Sequence, residues 1–130
     1  MPGELDRFDR LLERVLEALP EELSTLLEEV PLVVDDLPDK EICLRMGLRH
    51  KLDLCGLYTG IPLTGRSVEH SGTLPDVITI FRRGILSAAR GRDGEVRDAA
   101  LRRQIRLTVL HEIGHHFGMT EEQLSRYGYG

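Results

Sequence analysis

The chain has 130 residues, 41% hydrophobic and 30% charged, with 17 Lys and Arg against 22 Asp and Glu for a formal charge of -5. This length suits one domain with a real core and leaves no room for separate catalytic and regulatory modules, so residues 1–130 are expected to form a single unit. The acidic balance argues against a nucleic-acid or anionic-membrane partner, and no stretch approaches the ~18 apolar residues of a membrane span.

The N-terminus, MPGELDRFDR, lacks the basic and apolar regions of a secretory signal, so the expected location is the cytoplasm. Leu5, Phe8, Leu12, Val15, Leu16 and Leu19 recur at three- and four-residue steps and predict an amphipathic helix ended by Pro20. EELSTLLEEV starts with acids just after that proline and predicts a second, short helix running to Pro31. Leu32, Val33 and Val34, closed by Asp35, Asp36 and Pro38, predict a buried strand leaving into a turn. The pattern then loosens. LDLCGLY is a strand candidate, and TGIPLTGRS, punctuated by Gly60, Pro62 and Gly65, reads as a loop. Cys43 and Cys55 have no CxxC spacing and read as small core residues, while His50 and His70 read as solvated polar side chains.

DVITIF, bounded by Pro75 and Gly84, is the clearest strand in the chain, and GILSAAR predicts a short helix after it. A long amphipathic helix is expected from near Glu95. Leu101, Ile105, Val109, Ile113 and Phe117 fall at steps of four with Leu110 beside them, a face that packs on the core, while Arg97, Arg102, Arg103 and Arg106 read as a solvated face. The helix stops near Gly118, and Thr120 with Gln123 has the spacing of a capping box opening a last short helix.

The long helix carries HEIGHH. His111 and His115, four residues apart, stack on one helix face so that both imidazoles can reach one metal ion, expected to be zinc. Glu112 lies about 100° around the helix, placed to reach a water on the metal rather than the metal itself, which makes it the general acid/base of a hydrolysis. The apolar run just before the motif is expected to set the histidines at the buried end of a core helix, where unliganded rings would be costly. His116 points about 100° away from His115 and is expected to support the site or face substrate. Tyr127 and Tyr129 are candidates for a hydroxyl donor or for the loose packing of a glycine-rich tail. A catalytic zinc takes three protein ligands and keeps one position open, so a third ligand is required.

HEIGHHFGMTE has the form HExxHxxGxxE and resembles the metzincin signature. The resemblance implies that Gly118 makes a tight turn and that Glu121 is the third zinc ligand, a glutamate where histidine is usual. As a first-turn residue of the last helix Glu121 also suits the helix dipole, and both readings stay open. Nine residues follow Glu121, without a methionine, so no metzincin-type methionine turn is expected beneath the metal. Together with LYTGIPLTGRS and LPDVITIFR, in this order over roughly residues 30–128, the motif resembles the minimal zincins, small bacterial metalloproteases. That resemblance implies an α+β, zincin-like fold: a small twisted mixed sheet against an active-site helix, with additional N-terminal helices. It also implies a zinc cofactor, hydrolysis of a peptide or protein substrate, and DVITIFRR as the edge strand with which an extended peptide pairs.

Two other functions stand beside it. A zinc-dependent endoribonuclease would use a related helix, but with glycine where this chain has Glu112 and with a more basic cleft. A zinc-binding, non-catalytic peptide-binding module would close the metal shell with a fourth protein ligand such as His116, His50 or His70.

Overall fold

The structure is a computed structural model and describes residues 3–60 and 76–127. In chain order the described elements are α1 (Glu4–Glu17), α2 (Glu21–Glu29), β1 (Leu32–Asp35), α3 (Lys40–Met46), a 3₁₀ turn (Lys51–Asp53), β2 (Gly56–Thr59), β3 (Val77–Phe81), α4 (Arg82–Ala89), α5 (Asp98–Phe117) and α6 (Glu121–Ser125). The class is the α+β one expected. The loop anticipated over residues 59–67 lies, past Gly60, outside the described residues, as do His70 and Tyr129.

The strands form one mixed sheet in the order β1-β3-β2. β1 runs parallel to β3, pairing Leu32 with Ile78 and Val34 with Ile80, whereas β2 runs antiparallel, pairing Leu57 with Thr79 and Tyr58 with Ile78. This corrects the expected place of DVITIFRR. β3 is the central strand and both of its sides are taken, so among the described residues the edge nearest α5 belongs to β2. The composition of β3 carries the reason: Val77, Ile78, Thr79, Ile80 and Phe81 suit a central strand, and Ile78, Ile80 and Phe81 are fully buried. β1 is less buried than expected. Its exposure alternates along the strand and Val33 faces out, as one-sided packing at a sheet edge dictates.

α1 buries Phe8, Leu11, Leu12 and Val15 and packs that stripe on α5 and α4. α5 is the hub, meeting α1, α4, β2, β3 and α6. Leu101, Ile105, Val109, Leu110 and Ile113 are all fully buried, each worth about 1.5–3 kcal/mol of apolar transfer. Arg97, Arg102 and Arg103 are exposed as the solvated face requires, while Arg106 is half-buried and donates to the Tyr127 carbonyl. Arg82 ties α4 to α1 and to the end of β1 through Asp9 and Asp36, at 2.8 and 3.0 Å. Among the described residues no helix is long and apolar enough to cross a membrane.

α3 is an element the apolar pattern does not announce. Asp39 caps it by accepting from the Ile42 N–H at 2.8 Å and Gly47 ends it in a left-handed conformation, but none of its side chains is buried and Leu44 is 74% exposed. A helix without a buried stripe leaves caps as its only sequence signal. Cys43 and Cys55 are both free and half-buried; Cys55 packs against the core as expected, whereas Cys43 stands outside it.

Candidate metal and catalytic site

The last turns of α5 carry two interleaved pairs, each four residues apart. His111 and His115 are exposed, with their Nε2 atoms 2.9 Å apart and their rings edge-on at a centroid distance of 4.5 Å. Glu112 and His116 are buried, at 6% and 3% exposure. The expectation that the preceding apolar run would bury the candidate ligands is therefore corrected. Thr108, Glu112 and His116 form the buried polar stripe beside the apolar one, and His111 and His115 fall on the outward side.

What the buried stripe meets is β2. Gly56 and Tyr58, two apart along the strand, share one face. A Cβ on Gly56 would come within 2.8 Å of Thr108 Cγ2, 3.1 Å of Glu112 Cγ and 3.2 Å of Glu112 Oε2, so any larger residue here forces Thr108 and the carboxylate to shift. Tyr58 stacks edge-on against His116 at a centroid distance of 5.3 Å. Its hydroxyl donates to Asp76 Oδ1 at 3.0 Å and lies 3.2 Å from His116 Nδ1, which is also 3.8 Å from Asp76 Oδ2. The Tyr58 backbone N–H is directed at the Glu112 carboxylate and favours its charged form. His116 thus takes a supporting, inward place and does not face solvent.

Burial pushes the Glu112 carboxyl up from the ordinary 4.5 to about 7, against the opposing pull of the Tyr58 N–H. His111 is held below the usual imidazole range, first by desolvation and then by the charge of His115, while Glu121 pulls it the other way. Cys55 is pushed up, chiefly by burial, so at neutral pH it stands as a thiol rather than a thiolate nucleophile.

The His111–His115 pair suits a zinc ion. Two imidazole nitrogens on one tetrahedral zinc, each at about 2.0–2.1 Å, stand about 3.3 Å apart, and the pair already holds its Nε2 atoms 2.9 Å apart. Metal ligation also needs neutral imidazole, the form that the surroundings of His111 favour. Among the described residues no group of three His, Cys, Asp or Glu is gathered closely enough to hold a metal ion. Gly118 does make the expected turn, closing α5 at φ 65° with the Met119 N–H on the Gly114 carbonyl at 2.9 Å. Thr120 and Gln123 form the expected capping box at 2.8 and 3.1 Å, and Glu121 opens α6, exposed, its charge felt at His111.

Beside Glu112 and His111 opens a pocket of about 420 Å³, lined by Leu54, Cys55, Gly56, Leu107 and Thr108, with Asp53 and Gln104 completing it. Two sequence candidates fall away from the site. Tyr127 donates its hydroxyl to Glu22 at 2.8 Å, and His50 is exposed before the 3₁₀ turn. Sequence reasoning missed Gly56, Tyr58 and Asp76. The period-two placing of Gly56 and Tyr58 in a strand candidate was a usable signal for a shared face, whereas nothing marked Asp76 beyond its place before a strand.

Among curated proteins none matches the chain. A family model described as zincin-like metallopeptidase matches residues 27–129, taking in every element from the end of α2 onward and the whole of the HEIGHH helix. With the α+β fold and that helix against the sheet, this match settles the kinship: the chain belongs to the zincin-like metallopeptidase family.

Proposed function

We propose that the protein is a zinc-dependent peptidase in which His111 and His115 hold the metal, Glu121 is drawn in as the third ligand when zinc binds, and Glu112 moves the proton. The observation that carries this reading is the buried Glu112 carboxylate lying one residue from a convergent histidine pair, at the wall of an apolar pocket. When bound, zinc supplies Lewis acidity, polarising a peptide carbonyl and acidifying water. Glu112 takes the proton from the attacking water on a carboxylate oxygen and returns it to the departing amine nitrogen as the C–N bond breaks. Its burial keeps solvent from competing for that proton, and the close approach of Gly56 confines it.

The substrate is an extended peptide. β2 is the sheet edge over α5 among the described residues, so a peptide that adds to the sheet there runs past Glu112 with alternate side chains directed down. The pocket, lined mainly by Leu54, Cys55, Leu107 and Thr108, then takes an apolar residue next to the scissile bond. The test is a peptide library incubated with zinc-loaded protein and with Glu112→Gln. Cleavage that depends on zinc and on Glu112, enriched for apolar residues beside the cut, is expected. Equal, metal-independent cleavage by both proteins overturns the reading.

A further inference from the structure

We propose that Tyr58, with His116 and Asp76, is a positioning residue for Glu112, acting through the backbone of β2; this rests on the reading of Glu112 as the proton carrier. Two strand residues advance about 6.6 Å and four helix residues about 6 Å. Gly56 and Tyr58 therefore meet Glu112 and His116 in step, glycine opposite the carboxylate and tyrosine opposite the imidazole. Tyr58 works at both ends. Its strand lies against the carboxylate at Gly56 and its N–H favours the charged form, while its hydroxyl is held by Asp76 at 3.0 Å and His116 at 3.2 Å.

The three side chains come from three segments: β2, the residue leading into β3, and α5. With the hydroxyl proton given to Asp76, His116 donates its Nδ1–H to the phenolic oxygen, so each group has a partner of the right kind. The cluster thereby pins an edge strand of four residues, paired with another strand on one side only among the described residues, to the helix that carries Glu112. Without the pin, the strand keeps its ladder to β3 but loses the contact that sets its height over α5. The N–H at position 58 then drifts from the carboxylate, and proton transfer suffers more than binding does.

The experiment compares Tyr58→Phe with the unaltered full chain. Phe keeps the ring packing and deletes only the hydroxyl. In metal-free protein, backbone amide exchange followed by NMR should quicken at residue 58 by about tenfold while β3 amides hold. With zinc bound, kcat should fall about tenfold with KM and zinc affinity within about twofold. His116→Leu should behave like Tyr58→Phe, and His116→Asn, which keeps a hydrogen-bonding atom near the place of Nδ1, should recover most of both readouts. Unchanged exchange at residue 58 overturns the positioning role, as does a loss of zinc affinity in step with kcat. If instead Glu112→Gln cleaves as fast as the unaltered protein, the reading of Glu112 fails while the exchange measurement still reports on the pin.

Discussion

The two faces of the HEIGHH turn differ in what holds their side chains. On the outward face His111 and His115 touch each other and lie exposed. On the inward face Glu112 and His116 are buried against β2 and enmeshed with Gly56, Tyr58 and Asp76. A pair meant to take up a metal needs an open approach and neutral rings, whereas a proton carrier needs a dry, fixed place. One helix meets both demands because a step of one residue turns the side chain by about 100°.

The largest expected effect breaks the inward face chemically. Glu112→Gln should lower zinc-dependent peptide cleavage by about 10²–10⁴-fold, the usual worth of a positioned acid/base, with zinc retained, as initial rates and metal analysis would check. Next comes the outward face. His115→Ala should weaken zinc binding by more than the roughly 10–100-fold that outer-shell changes cost, measured by chelator competition, yet change the unfolding free energy of metal-free protein, from denaturant titration, by no more than about 0.5 kcal/mol. A large stability loss from His115→Ala would erase the distinction between the faces.

A third prediction uses the buried carboxyl. The folded pKa of Glu112 lies above its unfolded one, so its contribution to stability is fully present below about 4.5 and is lost as pH rises through about 7. That displacement corresponds to about 3 kcal/mol. Metal-free Glu112→Gln, which cannot ionise there, should therefore gain on the unaltered protein by up to about 3 kcal/mol between pH 4 and pH 8 in urea titrations. An equal difference at both pH values would place the ionised carboxylate in a wetter site than the structure gives it. The smallest effect is steric. Gly56→Ala puts a methyl against Thr108 and Glu112 and should cost about 1–3 kcal/mol of thermal stability, along with activity.

How much of this was legible beforehand depends on what kind of information each feature carries. α1, α5 and β3 stand out in the sequence because periodicity and residue type are local, and each buries a continuous stripe or run. α3 escapes the apolar pattern because it buries nothing, and β1 looks more buried in sequence than it is because a short apolar run looks alike at a sheet edge and at its centre. The central position of β3 could not be read at all, since strand order is set by which neighbours dock, across many residues of separation.

The same division runs through the site. By itself the sequence determined that His111 and His115 share a helix face, that Glu112 lies a third of a turn away, that Gly118 ends the helix and that Thr120 caps the next, because helix geometry and caps are matters of a few neighbouring residues. Only the tertiary structure decided which of the two interleaved pairs is buried. It also brought Gly56, Tyr58 and Asp76 to Glu112 and His116, for burial belongs to whatever packs on a helix, and here that partner is a strand more than fifty residues earlier in the chain.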